Sequence, residues 1–428
     1  RYPIRTGVFP SVFSPASIYG LPVGEVTIAK LLKEAGYKTG MVGKWHLGDT
    51  PEYLPTSHGF DSYYGIPWSH DYCPCPCNLT LTEDCNCRPS DPPCPIFHNT
   101  QIVQQPAYLP DLAQTYKSQG LSFLEENKDD PFFLYYCFQH SHHPQFNSPQ
   151  YVNATKRGAY GNSMLELDHV IGQIMDYLDS SGLSDDTLVF LTSDNGPSLI
   201  RFKFGGSAGE LRCGKGTTWE GGQRVPGLAR WKGVIEPGRV VDDIVTNMDI
   251  FPTILKIAGV DAPTDRPIDG VDMSDILTNK NNGSRDHFFY YGLKAEMNAV
   301  RLGKYKAHFY TSGWGKSPAA LCGDTREVKH DPPLLFDLSK DPNEANPLPS
   351  TTPEYKTIIS QINALVTAHN CNSKSDPCYN VYGPKGIFDG NKKCEPFPPV
   401  PFKPWTPNCK PEAYGTFPLV GNSEYDFM

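Results

Sequence analysis

Apolar residues recur between positions 26 and 258 in two alternating patterns, one with the period of a helix and one typical of a buried strand. Apolar positions three or four residues apart predict helices at 26–35, 111–126, 160–180 and 249–258. Runs rich in large apolar and β-branched residues predict strands at 37–42, 132–138, 188–193 and 225–231. This alternation favours an α/β fold with a mixed, mainly parallel central sheet and helices on both faces.

The pattern changes near residue 286, where short strands at 287–291, 299–302 and 305–310 follow one another without intervening helices. We therefore predict two domains: an α/β domain at 1–285, and a smaller antiparallel-sheet domain with a Cys- and Pro-rich tail at 286–428. Residues 49–108 are predicted to form a loop-rich, disulfide-pinned excursion.

Polar residues follow the predicted strands where each strand ends. The first three strands are followed by Lys44 and His46, by His140 and His142, and by Asp194 and Asn195; Lys215 lies on a later glycine-rich loop. Open α/β sheets build their sites at the carboxyl ends of parallel strands, so these residues should converge.

Such a group of residues has a specific chemistry. An Asp–Asn pair offers the oxygen ligands that calcium or magnesium prefers, lysines bind an oxyanion, and histidines exchange protons near neutral pH. Each residue alone has a simpler interpretation: an Asx turn that closes a core strand, solvated lysines, or structural histidines. Their equivalent positions after successive strands favour the site.

Composition narrows the class of protein. The chain has 428 residues, a net charge of −9 and no apolar run long enough to span a membrane, which argues against general nucleic-acid binding and against a membrane span. Six of its 13 cysteines lie between Cys73 and Cys94 and four between Cys371 and Cys409. Their spacing does not match a zinc module.

Asn78, Asn153 and Asn282 each begin an N-glycosylation acceptor pattern. Together with the clustered cysteines, these patterns favour a disulfide-bonded protein of the secretory pathway, either lysosomal or secreted. The sequence leaves homo-oligomerisation open.

Four segments carry a family resemblance: Gly-Lys-Trp-His-Leu-Gly at 43–48, His-Ser-His-His-Pro-Gln-Phe at 140–146, Thr-Ser-Asp-Asn-Gly-Pro at 192–197, and Cys-Gly-Lys-Gly-Thr-Thr-Trp-Glu-Gly-Gly at 213–222. In this order they resemble the active-site segments of the type I sulfatases, above all those of the arylsulfatase A branch, with the N-acetylgalactosamine-6-sulfatases as near relatives. The likeness extends through nearly the whole chain and implies the alkaline-phosphatase-like sulfatase fold.

The resemblance implies a calcium-assisted hydrolysis of sulfate esters in which a formylglycine, made from a cysteine, attacks sulfur. By this resemblance, Asp194 and Asn195 are calcium ligands. Lys44 and His46 anchor and tune the formylglycine hydrate, and His142 protonates the leaving oxygen. Aryl sulfates, sulfated glycolipids or sulfated sugars are the implied substrates.

The resemblance also implies the residues that contact the substrate. Lys215 matches a sulfate-binding cation, Ser69 a polar residue of the substrate pocket, and His308 a residue that lines the pocket from the second domain. It further implies a disulfide between Cys213 and Cys322, and Cys137 is expected to remain a free thiol.

The nucleophile is where this sequence departs from the family pattern. A Cys-x-Pro-Ser-Arg motif and two further aspartates are expected upstream of Arg1, and neither is in this sequence. We therefore interpret the sequence as an incomplete one from an active sulfatase, without the N-terminal strand and the nucleophile segment. The chain as written is expected not to hydrolyse sulfate esters. The rival interpretations are a phosphatase or phosphodiesterase of the same superfamily and a non-catalytic secreted or matrix protein.

Overall fold

The computed structural model describes residues 1–6, 8, 12–13, 15, 17, 19–72, 93–279, 283, 285–292, 296–312 and 327–372, the last three without their side chains. Several predictions lie outside these ranges: the acceptor sites at Asn78 and Asn282, the partner cysteine Cys322, nearly all of the cysteine cluster, and the tail beyond 372.

The predicted helices and strands are present, with their ends shifted by a few residues. The helices are α1 (Pro3–Thr6), α2 (Ile28–Glu34), α3 (Leu109–Glu126), α4 (Gly158–Ser180), α5 (Glu220–Gln223), α6 (Ile250–Ala258), α7 (Ser274–Leu277) and α8 (Pro353–Asn372). The strands are β1 (Lys38–Gly43), β2 (Ser62–Gly65), β3 (Ile96–His98), β4 (Gln101–Gln104), β5 (Phe132–Cys137), β6 (Val189–Thr192), β7 (Gly227–Arg230), β8 (His287–Tyr291), β9 (Met297–Leu302), β10 (Tyr305–Thr311) and β11 (Val328–Asp337).

The central sheet has the strand order β4-β3-β2-β1-β5. Strand β1 is parallel to both of its neighbours, β2 and β5, whereas β3 and β4 are added antiparallel. Successive residues of β1 pack on opposite faces, since Met41 lies in a cluster with Ala29 of α2 and Val42 in a cluster with Leu112 of α3. The predicted mixed sheet with helices on both faces is confirmed.

Strands β6 and β7 form a separate antiparallel pair. In the described part of the chain, β5 pairs with β1 alone and β6 with β7 alone. Between β5 and β6 lies a cavity of about 1790 Å³. The sequence predicted buried strands here, yet Tyr135 of β5 is 46% exposed and Leu191 of β6 is 37% exposed, because their side chains line this cavity.

The C-terminal sheet is antiparallel, with the order β11-β10-β9-β8. Its apolar face packs against α8: Val300 and Ala307 of the sheet share a core cluster with Tyr355 and Ile362 of the helix. Tyr2 belongs to the same cluster, so the first residues of the chain pack against the last sheet. The predicted small antiparallel sheet is confirmed, and the domain limits 1–285 and 286–428 remain predictions.

Sequence patterns missed the three strands within residues 49–108. Strands β2, β3 and β4 have only four, three and four residues, too few for a periodic signal to stand out from a loop. These segments are strands because they pair with neighbouring strands of the sheet. The predicted loop-rich excursion therefore also contains strands at 62–65, 96–98 and 101–104.

Of the helices described, none combines the length and the apolar character that crossing a bilayer requires.

Candidate active site

Gly43 determines how the chain leaves β1. Its φ of +109° is a conformation that other residues rarely adopt, and a Cβ there would lie 1.8 Å from the carbonyl oxygen of Cys137. The tight contact continues one residue on, where the Lys44 backbone amide donates to the same carbonyl at 3.0 Å. The glycine therefore lets the ends of β1 and β5 meet, which brings Lys44 and His46 next to the residues that follow β5.

Lys44 and His46 both line the cavity between β5 and β6. Burial lowers the pKa of Lys44; Asp194 acts in the opposite direction, and Lys215 lowers it further. Nε2 of His46 lies 2.9 Å from the carbonyl oxygen of Phe13. Burial, followed by the charge of Lys44, lowers the pKa of His46 to about 3, so this imidazole is neutral at physiological pH.

His142 has polar partners on both ring nitrogens. Its Nδ1 lies 2.7 Å from the carbonyl oxygen of His143 and 3.3 Å from Oγ of Ser69, and its Nε2 lies 3.5 Å from Nζ of Lys215. A carbonyl only accepts, so Nδ1 carries the proton and the Nε2 lone pair faces the lysine. Burial and then the charge of Lys44 lower the pKa of His142.

Ser69 is buried, and its hydroxyl contacts His142. Ser69 therefore contacts His142 from behind and is not itself among the residues that line the cavity.

His140 supports the loop from behind. Its Nε2 lies 3.3 Å from Oε2 of Glu166, a fully buried residue of α4. Glu166 also accepts hydrogen bonds from the backbone amide and hydroxyl of Ser148 and from Gln114 at 3.0 Å. Glu166 thus ties both ends of the loop that carries His142 to helix α4.

The turn after β6 and the glycine-rich loop are joined by backbone hydrogen bonds. The Gly196 amide donates to the carbonyl of Gly222 at 3.0 Å, and the Lys215 amide donates to the carbonyl of Pro197 at 2.8 Å. A Cβ at Gly196 would lie 1.9 Å from the carbonyl oxygen of Gly221, so only glycine permits this approach. The predicted convergence of Asp194 and Asn195 with Lys215 follows from these contacts.

Six of the predicted residues line one cavity: Lys44, His46, His142, Asp194, Asn195 and Lys215. We call these six the strand-end site. Its two lysines and two imidazoles can bind a tetrahedral oxyanion and relay a proton to or from it.

The side-chain oxygen atoms of Asp194 and Asn195 are the type of ligand that a calcium ion prefers. The Asp194 carboxylate is exposed, and Asn195 uses its amide nitrogen within the turn, donating to the Gly196 carbonyl at 2.8 Å. The side-chain oxygens are therefore acceptors, as a hard cation requires. Two ligands are fewer than the six to eight that calcium takes.

Asp71 and His143, which lie beside His142, were not among the residues predicted from the sequence. The ligand atoms of Asp71, His142 and His143 lie within 4.8 Å of one another, a spacing that would suit a metal ion. Lys215, 3.5 Å from His142, disfavours a cation there. Burial would raise the pKa of Asp71, but His142, Ser69 and the neighbouring histidines lower it to about 2, so the group is a fixed negative charge.

His308 is fully buried, and its Nε2 lies 2.6 Å from Oε1 of Glu344. Its ring packs on that of Trp219, with centroids 4.3 Å apart. The cavity of the strand-end site is lined by other residues. A contact of His308 with a substrate therefore stays a prediction. In the structure, His308 packs against Trp219, which belongs to the loop that carries Lys215.

Two cysteine predictions concern residues that the structure describes. Cys137 is a free thiol, as expected, and burial raises its pKa to about 12, which makes it a poor nucleophile. Cys213 is disulfide-bonded, and the pairing with Cys322 remains a prediction.

The chain is similar to known families and proteins over most of its length. The family described as Sulfatase matches residues 1–260, the C-terminal region of aryl-sulfatase matches residues 283–382, and the C-terminal family of N-sulphoglucosamine sulphohydrolase matches residues 213–314. Arylsulfatase A of Homo sapiens is 41% identical over 386 residues, which cover 85% of this chain and 76% of that protein. N-acetylgalactosamine-6-sulfatase of Rattus norvegicus is 35% identical over 405 residues, which cover 86% and 74%.

A solved structure agrees with these sequence matches. The PsFucS1 sulfatase from Pseudoalteromonas sp. superposes with a TM-score of 0.78 and 27% sequence identity, and the superposition covers 89% of this chain and 79% of that chain. The similarity therefore extends over most of the chain and is not confined to the four motifs.

Proposed function

This chain belongs to the sulfatase family, whose members hydrolyse sulfate esters, and from that premise we propose that its strand-end site binds and cleaves the sulfate group of an ester substrate. The observation that carries the proposal is the contact of Lys215 with His142, at 3.5 Å. It joins a sulfate-binding cation to a proton donor at one wall of the cavity. Lys44 supplies a second positive charge beside them.

In this proposal Lys44 and Lys215 neutralise the sulfate oxygens. Both are held in a partly buried position where a charge is poorly screened by water, so each interacts more strongly with an anion than a surface lysine would. Ser69 and the backbone carbonyl of His143 orient His142 towards the same point.

His142 would protonate the leaving oxygen. Without an anion, burial and the charge of Lys44 hold its pKa low. A bound sulfate acts in the opposite direction, because a negative charge nearby favours the imidazolium form. Substrate binding would thus favour protonation of His142, which then donates this proton to the leaving oxygen.

Asp194 and Asn195 would hold calcium through their side-chain oxygens. When bound, the ion would neutralise sulfate charge and make the sulfur more susceptible to attack. Without the ion, the charge of Asp194 still raises the pKa of Lys44, in opposition to the effect of burial.

The cavity has room for a further extended segment: β5 and β6, as described, each have one edge that faces it, and apolar side chains of both strands line it. A further extended strand would pair with both edges and bury these side chains. Its carboxyl end would reach the strand-end site, where the formylglycine and the remaining calcium ligands are required.

We propose a lysosomal or secreted location. Asn153, within its acceptor pattern, is exposed on the turn that follows the His142 loop, where a glycosyltransferase could reach it. Cys94 and Cys213 are disulfide-bonded, which agrees with folding in an oxidising compartment. Digestion with an endoglycosidase should lower the mass of the secreted protein, and Asn153→Gln should remove one such step.

The test is turnover by the full-length protein, preceded by whatever sequence its gene encodes before Arg1. We expect release of sulfate from 4-nitrophenyl sulfate, a loss of this activity on calcium chelation, and much slower hydrolysis of 4-nitrophenyl phosphate. A sulfated glycolipid and a sulfated sugar, assayed side by side, decide the substrate class. Faster turnover of the phosphate would favour the phosphatase alternative. No turnover of any ester would favour the non-catalytic one.

A further inference from the structure

A second group of charged residues lies where the glycine-rich loop meets the C-terminal sheet. Its members, which we call the buried ion cluster, are Arg212, Glu220, Lys306, His308 and Glu344. Lys306, His308 and Glu344 are 0% exposed, and Glu220 is 3% exposed. None of these residues lines the cavity of the strand-end site.

Glu344 is the hub of this cluster. Its Oε1 lies 2.6 Å from Nε2 of His308 and 3.5 Å from Nζ of Lys306. Its Oε2 accepts the backbone amide of Glu220 at 2.6 Å, and its carbonyl accepts a hydrogen bond from Arg212 at 2.8 Å. One residue of the C-terminal region therefore holds both ends of the loop that carries Lys215.

The loop has a second anchor in the same place. The Glu220 carboxylate binds Nζ of Lys306 at 2.8 Å. The Arg212 guanidinium stacks on Trp219 at 3.9 Å from the ring centre, and the Arg212 carbonyl accepts the amide of Gly221 at 2.8 Å. The loop is thus closed at its base, and Lys215 projects from its middle.

Glu344 also has an unusual backbone conformation. Its φ is +51°, in the left-handed region that residues other than glycine rarely adopt. Such a conformation persists where surrounding contacts over-determine it. The contacts of its carboxylate and carbonyl provide that constraint.

Both carboxylates of the cluster face cations. Lys306 lies 2.8 Å from the Glu220 carboxylate and 3.5 Å from that of Glu344, and Arg301 lies 3.9 Å from the Glu220 carboxylate. A buried set of this kind is rigid, because moving one member leaves a partner charge unpaired in the protein interior.

From this geometry we propose that Glu344 is a positioning residue for sulfate recognition: by clamping residues 212–220 to the C-terminal sheet, it fixes Lys215 beside His142. The inference rests on the proposed function of the strand-end site. It also gives the C-terminal sheet a role in the reaction, although its residues lie outside the cavity.

The experiment measures sulfate affinity and thermal stability on the same full-length protein. Glu344→Gln keeps the shape of the side chain but removes its charge, and Glu220→Gln does the same for the second anchor. Asp269→Asn is the matched control, because Asp269 forms a comparably buried pair with Arg5 at 2.9 Å and none of its described contacts reaches the Lys215 loop. Lys215→Ala is the positive control.

We expect Glu344→Gln to weaken binding of inorganic sulfate by about tenfold and to raise KM for an aryl sulfate by a similar factor. Glu220→Gln should have a smaller effect in the same direction. Asp269→Asn should lower Tm without changing sulfate affinity. Binding is measured by calorimetry well below the Tm of each variant, so that a loss of stability alone does not alter it.

If Glu344→Gln lowers Tm but binds sulfate as the wild type does, Glu344 is merely structural and the inference is overturned. If Glu344→Gln does not fold, Glu220→Gln decides between the same two results. The outcome for Lys215→Ala separates the two proposals: unchanged sulfate affinity there would overturn the proposed function itself, whereas weakened affinity there with unchanged affinity in both glutamine variants would overturn only the role of Glu344.

Discussion

The strand-end site and the buried ion cluster use the same kinds of side chain for opposite purposes. Each combines lysine, histidine and carboxylate groups, and the glycine-rich loop contributes to both. In the cluster, Lys306 lies 2.8 Å from one carboxylate and 3.5 Å from another. In the strand-end site, Lys215 lies 3.5 Å from an imidazole nitrogen. Positive charge is neutralised within the protein in the cluster and left for a ligand in the site.

The pKa values reflect this difference. Burial would raise the pKa of Glu344, but Lys306 and His308 lower it, so the charged form is stabilised by its partners. Burial lowers the pKa of Lys44 and Lys215 lowers it further, and Asp194 offsets this only in part, so the charged form is destabilised. A binding site for an anion stores unfavourable electrostatic energy that the anion then relieves. In the structural cluster, the partner charges already offset the cost of burial.

The largest effect is expected from breaking the cluster. Lys306→Met removes the lysine cation that the buried carboxylates of Glu220 and Glu344 share and should lower the free energy of unfolding by about 3–5 kcal/mol. Urea denaturation measures this loss. Lys304→Met is the control: Lys304 pairs with Asp337 at 2.9 Å, but its side chain is 46% exposed, so little change is expected. Equal losses of unfolding free energy in the two variants would mean that the buried pair contributes no more to stability than the exposed one.

The same type of change in the strand-end site should spare stability and abolish function. Lys215→Ala removes a charge that we propose binds sulfate and should lower kcat/KM for an aryl sulfate by about 10²–10³-fold. Its Tm should be unchanged or higher, because the repulsion between Lys215 and Lys44 is relieved. Lys203→Ala changes an exposed lysine nearby and serves as the control. A large loss of stability in Lys215→Ala would contradict the distinction between the two regions.

His142 can be tested through the leaving group. His142→Gln should lower kcat by about 10²-fold for a sulfate ester of an aliphatic alcohol, which needs a proton to leave. For 4-nitrophenyl sulfate, whose phenolate leaves unaided, the loss should be much smaller. His169→Gln, at an exposed position of α4 where the imidazole bonds to Tyr151, is the matched control. The same loss with both esters would exclude His142 as the proton donor.

Sulfate itself should distinguish the two histidines. Binding of inorganic sulfate should raise the pKa of His142 by at least about one unit, equivalent to about 1.4 kcal/mol, and leave that of His308 unchanged. Burial lowers the pKa of His308 to about 4 in its closed surroundings. NMR titration of histidine-labelled protein with and without sulfate measures both. A parallel shift of both histidines would show that the cluster responds to the ligand as the site does.

His58 provides a reference outside both regions, and the smallest effect. It is buried, and its ring nitrogens have no hydrogen-bond partner in the described structure. Burial lowers its pKa to about 4 from 6.5. Between these values the unfolded chain takes up a proton that the folded chain does not, so stability falls as pH falls.

His58→Leu should therefore reduce this loss by about 1 kcal/mol per pH unit between pH 6.5 and 4. Urea denaturation at pH 7, 6 and 5 measures the slope. An unchanged slope would mean that His58 is protonated in the folded protein. The comparison with wild type then isolates the part of the acid sensitivity that comes from burial alone.

Much of this architecture was predictable from local patterns. The three-to-four spacing of apolar residues located α4, and the apolar run before Asp194 located β6, because helices and strands bury their faces with fixed periods. Lys44, His46 and His142 were predictable too, since the parallel strands β1 and β5 bring their carboxyl ends to one edge. Strands β2 to β4 and the partners of His308 were not, because they depend on pairing between distant segments.

The sequence by itself determined the alternation of helices and strands, the family resemblance and the residue types of the strand-end site. Only the tertiary structure decided which charges are neutralised. The pairs that hold Lys306 and Glu344 join residues 86 and 124 positions apart, and no local pattern encodes such a contact. Whether a lysine is a structural ion or a ligand for sulfate depends on where the chain places the nearest carboxylate, and that is a property of packing.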